Sequence, residues 1–220
     1  MKKIVLSLFL ISLFTLNSCK KDKNEEQNNN AVENNVTADG IKYTVDLSQS
    51  IVNWSGSKPT GKHTGTIKFK EGFVTVKDSA ITSGRFFIDM NTITVTDLKP
   101  DEGKADLENH LKGTAERDKR DHFFNVKKYP TSDIKITKVV EEEGKTVIYG
   151  NLSIKGVTKA VNFPAKVNIT ENEVVINSEK MVLNRTYFNV NYASKSLFAD
   201  LKDKFINDEI EIQVNVKTSK

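Results

Sequence analysis

The chain has 220 residues, 37% hydrophobic and 28% charged, a length that suits one or two domains. Eleven glycines and four prolines exclude a collagen-like or Pro/Gly-rich disordered chain. The single cysteine excludes a disulfide framework and any cysteine-rich zinc site, and a net charge of +4 has meaning only once it is divided along the chain.

Lys2 and Lys3 precede an uncharged run from Ile4 to Leu16. Such a run is too short for a membrane-spanning helix, which needs about 20 apolar residues. It fits the apolar core of a secretory signal peptide. The segment ends Leu16-Asn17-Ser18-Cys19, which resembles a bacterial lipobox. Residues 1–18 therefore read as a lipoprotein signal, and Cys19 as the acylated N-terminus of the mature chain. Residues 20–39 carry three lysines and five acids, lack aromatics and have no apolar period, as expected of a flexible linker. The domain from Gly40 to Lys220 has a net charge of +4, with no short block of bases free of acids. It lacks the footprint of a nucleic-acid binder. The expected location is the cell envelope, lipid-anchored at the outer membrane and facing the periplasm or the cell surface. A homodimer stays open at this point.

From Ile41 onward the pattern has period 2. Ile41, Tyr43, Val45 and Leu47 alternate with polar residues, as do Val161, Phe163, Ala165, Val167 and Ile169, and later Ile210, Ile212, Val214 and Val216. Alternation marks strands with one buried face. Further strands are expected over 51–55, 64–70, 73–77, 80–90, 134–140, 145–154, 174–177 and 186–191. Glu71-Gly72, Glu143-Gly144 and Glu171-Asn172 read as tight turns. Pro164 reads as an edge or bulge. Helical spacing replaces alternation over 101–112 and 196–205, where Ser196 suits an N-cap. The expected fold is all-β: an antiparallel barrel with one or two short helices closing an end.

Catalytic motifs are scarce. GxGxxG, Walker, GxSxG and HExxH patterns are absent. Ser55–Lys58 and Ser132–Lys135 match SxxK, but in strand or loop sequence rather than at a helix start. His63, His110 and His122 form the one candidate metal set, and hydrogen-bonded or exposed histidines are the alternative. Arg85, Asp89 and Asp106 could form a polar site or ordinary surface pairs. Glu116–Asp121 balances three bases with three acids and reads as a solvated loop. The stronger signal is aromatic: Trp54, Phe69, Phe73, Phe86, Phe87, Phe123, Phe124, Phe163, Phe188, Tyr192, Phe198 and Phe205 are spread over the domain. They suit either a filled barrel core or a hollow barrel that holds an apolar ligand.

Five stretches in order resemble the YceI-like lipid/polyisoprenoid-binding family. They are Val45-Asp46 with Val52–Gly56 and Gly61–Thr66; Gly84–Met90 with Ile93 and Asp97; Leu107 and His110–Lys112 with Phe123–Thr131; Tyr149–Lys159 running to Phe163-Pro164; and Asn184–Val190. The resemblance implies a lipocalin-like barrel with an apolar cavity for a long-chain amphiphile, a polyisoprenoid or fatty-acid derivative. It implies no enzymatic activity and no cofactor beyond a bound lipid. On this reading the lining is Trp54, Phe69, Phe86, Ile88, Met90, Leu107, Leu111, Phe123, Phe124, Phe163, Phe188, Tyr192 and Phe198. Lys58, His63 and Arg185 are the candidates for meeting a head group. The alternatives are a metal-dependent enzyme using the three histidines, and a packed, ligand-free interaction module. Two departures from the family stand out: a charged insertion over Gly113–His122, and Ser132-Asp133-Ile134 where a Phe is common.

Overall fold

The computed structural model describes residues 39–220. The expected signal segment, Cys19 and all of the linker except Asp39 lie outside the described residues. The elements in order are β1 (Ile41–Val45), β2 (Ile51–Lys58), β3 (Gly61–Lys77), β4 (Ala80–Asp89), β5 (Thr94–Val95), α1 (Lys104–Lys112), β6 (Thr131–Glu142), β7 (Lys145–Ile154), β8 (Val157–Ile169), β9 (Glu173–Ser178), β10 (Met181–Asn184) and β11 (Glu209–Ser219).

The strands form one antiparallel sheet in the order β11-β2-β3-β4-β6-β7-β8-β9, and β9 pairs back onto β11. The eight-strand path is therefore a closed ring, which removes the pairing liability of an open sheet, while β5 and β10 are each paired on one side. β1 continues the line of β2 along β3 and β11, and β10 continues β9 along β11. That leaves eight strand positions around the ring, a size at which a barrel either fills with side chains or holds one small ligand.

Local chemistry sets the hairpins. Asp78-Ser79, Glu143-Gly144 and Lys155-Gly156 each place two residues at positive φ, the geometry of the two-residue turn whose twist matches its strands. Glu171-Asn172 lies in the β8–β9 connection. Glu71-Gly72 is not a turn. β3 runs straight through it with a bulge between Phe69 and Glu71. Gly72 is needed there because a Cβ would stand 2.4 Å from the Phe86 ring. Pro164 pairs with Val147 of β7, and its carbonyl accepts from Glu179 N just past the end of β9. Its missing N–H thus faces the point where the β9 ladder stops.

Two other expectations are corrected. Residues 186–191 do not form a strand. Arg185–Phe188 make a 3-10 turn, capped by the Asn184 side chain accepting from Thr186 N at 3.0 Å and closed by Asn189 at φ 58°. Residues 196–205 are not a helix. Positive φ at Asp200 and Lys202 interrupts the segment, and only Lys202–Lys204 form a 3-10 turn. Leu197 and Phe198 have no core to face and stay about half exposed. The 101–112 helix does form, as a 3-10 turn over Pro100–Glu102 followed by α1.

The core is uneven along the barrel. Tyr43, Val45, Val74, Val76, Ile81 and Val174 fill the half that carries the β3–β4 and β8–β9 turns. Tyr43 Oη donates to the Thr170 or Glu171 carbonyl there, at 3.3 and 3.2 Å. The opposite half, beneath α1, is hollow.

Candidate functional site: a hollow, apolar barrel interior

The hollow half encloses a cavity of about 440 Å³. Strand alternation builds its walls. Val52 and Trp54 on β2, Phe69 on β3, Phe86 and Ile88 on β4, Ile134 and Ile136 on β6, Phe163 on β8, and Ile210, Ile212, Val214 and Val216 on β11 all line it. α1 lies across the end and adds Leu107, His110 and Leu111, the i, i+3 and i+4 positions of one helix face. Phe123, Phe124 and Tyr192 close the cap beside it. Lys58, His63 and Lys204, with Gly61 among them, mark the rim.

Eleven of the thirteen expected apolar residues stand in this lining: Trp54, Phe69, Phe86, Ile88, Met90, Leu107, Leu111, Phe123, Phe124, Phe163 and Tyr192. Phe188 does not; it is buried in the 3-10 turn after β10. Phe198 does not either, because it sits on the half-exposed rim loop. Met181, Leu183 and Ile206 complete the wall without having been singled out from sequence. Met181 and Leu183 alternate about Val182, the one signal that could have found them. Ile206 gave none. Ser132 faces inward between Ile88 and Ile134, so the departure from the family's common Phe falls on the wall itself.

The three head-group candidates border the cavity but are not equivalent. Lys58 is exposed at the rim. His63 Nδ1 donates to Asp97 Oδ2 at 2.8 Å, which leaves Nε2 unprotonated in the neutral ring. Burial alone would raise the Asp97 carboxyl, but the Thr64 N–H and His63 outweigh it and hold the carboxyl below its ordinary value. Arg185 is committed elsewhere. It is 3% exposed and donates to the carbonyls of Val190 (2.6 Å), Ile206 (3.0 Å) and Asn207 (3.0 Å), with Asp208 3.5 Å away. The residue clamps the two ends of the 190–207 loop together and has little capacity left for a head group.

The histidines do not converge. His63 is held by Asp97, whereas His110 Nε2 and His122 Nδ1 meet at 2.8 Å at the capped end. Tyr192 stacks on His122 with centroids 4.0 Å apart, and Phe123 meets His110 edge-on. Burial, and then the neighbouring His122, hold His110 below the ordinary histidine value. Among the described residues no group of three or more His, Cys, Asp or Glu is placed to hold a metal ion. The three-histidine centre therefore does not form.

Asp106 is exposed on α1, and the other polar candidates have roles of their own. Arg85 pairs with Asp133 at 3.1 Å and covers the Phe87 ring, while Asp89 caps a 3-10 turn through Asn91 N. Ser55–Lys58 and Ser132–Lys135 lie on strands, away from any helix start. In the inserted loop, Lys119 pairs with Glu116 at 2.6 Å. The insertion folds back over the end of α1, and so supplies His122 to the cap. Lys155, buried and unforeseen, secures it by donating to the carbonyls of Asp121 (2.8 Å) and Asn189 (2.9 Å). Burial lowers its pKa.

Known proteins share this fold. A YceI-like domain model matches residues 43–218. Protein YceI of Salmonella arizonae is 30% identical over 103 residues, 47% of this chain and 48% of that protein. The chain thus spans about half the length of the curated relatives it matches. The crystal structure of Burkholderia cenocepacia BcnA aligns with a TM-score of 0.60 at 20% identity, over 79% of this chain and 98% of that one. A polyisoprenoid binding domain from Saccharophagus degradans aligns with a TM-score of 0.55 at 12% identity, over 80% of this chain and 97% of that one. At these identities the structures share the fold. The domain match over most of the chain, together with a closed ring hollow at one end, makes this protein a member of the YceI-like family.

Proposed function

We propose that the barrel binds a long-chain amphiphile, a polyisoprenoid or fatty-acid derivative, with its chain in the cavity and its head group at the Lys58–His63 rim. The observation that carries this reading is the cavity itself: about 440 Å³ walled almost wholly by apolar side chains, with charge at the rim. Its size falls within the usual range for small-molecule sites, roughly 300–1,000 Å³. At roughly 30 Å³ per chain carbon, near the volume share of a water, it admits about 15 carbons. Burying that many methylenes is worth about 12 kcal/mol gross at ~0.8 kcal/mol each, before the costs of association. The polyisoprenoid-binding domain among the structural neighbours supports the same ligand class.

In this role the protein is a carrier or reservoir, tethered to a cell-envelope membrane through lipidated Cys19. Catalysis is not required, because affinity arises from burial and selectivity from chain length. A filled, ligand-free module is disfavoured by the hollow half.

Trp54 is the only tryptophan and lines the cavity, so its fluorescence reports occupancy. Titration with alkyl chains of rising length should show affinity increasing by about fourfold per methylene and levelling near 15 carbons. Affinity independent of chain length would overturn the proposal.

A further inference from the structure

Six large hydrophobic side chains are exposed among the described residues. Two, Ile41 and Leu47, belong to β1 and the loop after it. The other four fall within 182–198, on β10 and the segments that follow it: Val182 (60%), Tyr187 (50%), Leu197 (53%) and Phe198 (50%). Leu197 and Phe198 are adjacent on a loop that continues into Lys204 and Ile206, both of which line the cavity. Val182 and Lys195 line a second depression, whose other members are polar or charged. Leu197 and Phe198 thus stand on the segment that leads directly into the cavity lining.

We propose that this rim, led by Leu197 and Phe198, inserts into the head-group layer of an anionic lipid bilayer, so that the mouth opens onto the membrane. Three observations favour a bilayer. First, the area is small. With about 150–250 Å² for a full large side chain, the four expose on the order of 400 Å². That is roughly half of what a standard protein interface takes from each partner. Shallow burial of an apolar face among lipid head groups needs no such area. Second, the charge has the right sign. Lys58, Lys62, Lys180, Arg185, Lys195, Lys202 and Lys204 stand against Asp200, Asp203, Asp208, Glu209 and Glu211, an excess of two bases. Arg185 with Asp208, and Lys62 and Lys180 with Glu211, are already paired, while Lys195, which covers the Phe205 ring, Lys202 and Lys204 share the loop of the apolar pair with Asp200 and Asp203. Lysines beside an apolar tip favour anionic head groups. Third, the loop is clamped at its base by Arg185, so the two tips project from a fixed support. The proposal rests on the reading that the cavity holds a long apolar chain. Such a chain leaves water at its lowest cost when the mouth meets lipid directly.

The test uses the full chain carrying Cys19→Ser, which removes the acylation site, and Phe198→Cys labelled with a polarity-sensitive dye. Vesicles are phosphatidylcholine alone or mixed with phosphatidylglycerol. The emission is expected to shift to the blue on the mixed vesicles and less on phosphatidylcholine. In parallel, a pyrene-tagged hexadecyl chain is loaded and its transfer to the mixed vesicles is timed. Leu197→Ser with Phe198→Ser should slow transfer at least tenfold, with the melting temperature and the loaded fraction unchanged. An aqueous dye spectrum on vesicles, or wild-type transfer by the double variant, would overturn the proposal. So would a shift that appears without vesicles as protein concentration rises, which would make the rim a contact between copies. Failure of the hexadecyl chain to load at all would strike the cavity reading instead, while the dye still reports docking.

Discussion

Gly56→Leu fills part of the cavity without disturbing its walls. Gly56 lies on β2 between Trp54 and Lys58, lines the cavity, and pairs with Ile210 of β11. A Cβ built there meets nothing within 4 Å, and its φ lies outside the left-handed region. Leucine adds four carbons, roughly 120 Å³ at ~30 Å³ each, or about a quarter of the 440 Å³. A ligand long enough to fill the cavity loses about four buried methylenes. At ~0.8 kcal/mol each this is about 3 kcal/mol, or roughly two hundredfold in Kd. A chain of about eight carbons, which needs only ~240 Å³, should bind as before. Stability should hold or rise, since glycine within a strand costs about 0.5–1 kcal/mol. Trp54 fluorescence titration of long and short chains, with urea unfolding, measures both effects. If the interior is in fact filled, leucine overpacks it and costs about 1–3 kcal/mol. A drop of that size, or an equal loss of affinity at every chain length, would refute the reasoning.

Arg185→Met should cost about 3–5 kcal/mol in urea unfolding, because three loop carbonyls lose their donor and Asp208 is left without its partner. A loss below about 1 kcal/mol would mean that the guanidinium is not the clamp. The depressed pKa of His110 ties stability to pH. The unfolded chain takes up the proton first, so the contribution of neutral His110 is complete above about pH 6.5 and declines as pH falls through that value. His110→Gln should flatten unfolding free energy against pH in that window, and an unchanged slope would remove His110 as its source. Gly65→Ala should destabilise strongly, since a Cβ would stand 2.0 Å from the Thr94 carbonyl and 2.4 Å from the Trp54 ring; wild-type stability would contradict that packing. Cys19→Ala, with the signal segment still cleaved, should release the protein from membranes washed in high salt, and retention there would contradict lipid anchoring at Cys19.

Much of the barrel is legible in the residues because strand alternation is written one side chain at a time. The Ile210–Val216 and Val161–Ile169 patterns each place their hydrophobic face where the structure has it. Position 72 misleads because a bulge and a turn use the same residue type. Gly72 is required by the Phe86 ring resting on it, a contact from another strand that local sequence does not carry. Leu197, Phe198, Leu201 and Phe205 have helical spacing, but the Arg185 clamp and Asp208, whose carboxylate accepts from Ser196 N, set the path of the loop. Tertiary contacts there override local propensity. Arg185 read as a head-group residue because a strand start near Phe188 suggested a mouth; its burial among carbonyls belongs to a loop that returns some twenty residues later. The insertion was visible as a departure from the family. That it carries His122 to within 2.8 Å of His110 was not, since their spacing of 12 residues crosses a helix end and a fold-back.

Native mass spectrometry of the protein, purified without added lipid, tests most directly whether the interior is a ligand site. Binding of a long-chain amphiphile predicts an adduct whose mass and fragments match a prenyl or acyl chain, displaced by added long-chain ligand and diminished in Gly56→Leu. A protein that is always bare, and that takes up neither prenyl nor acyl chains when they are offered, would contradict it.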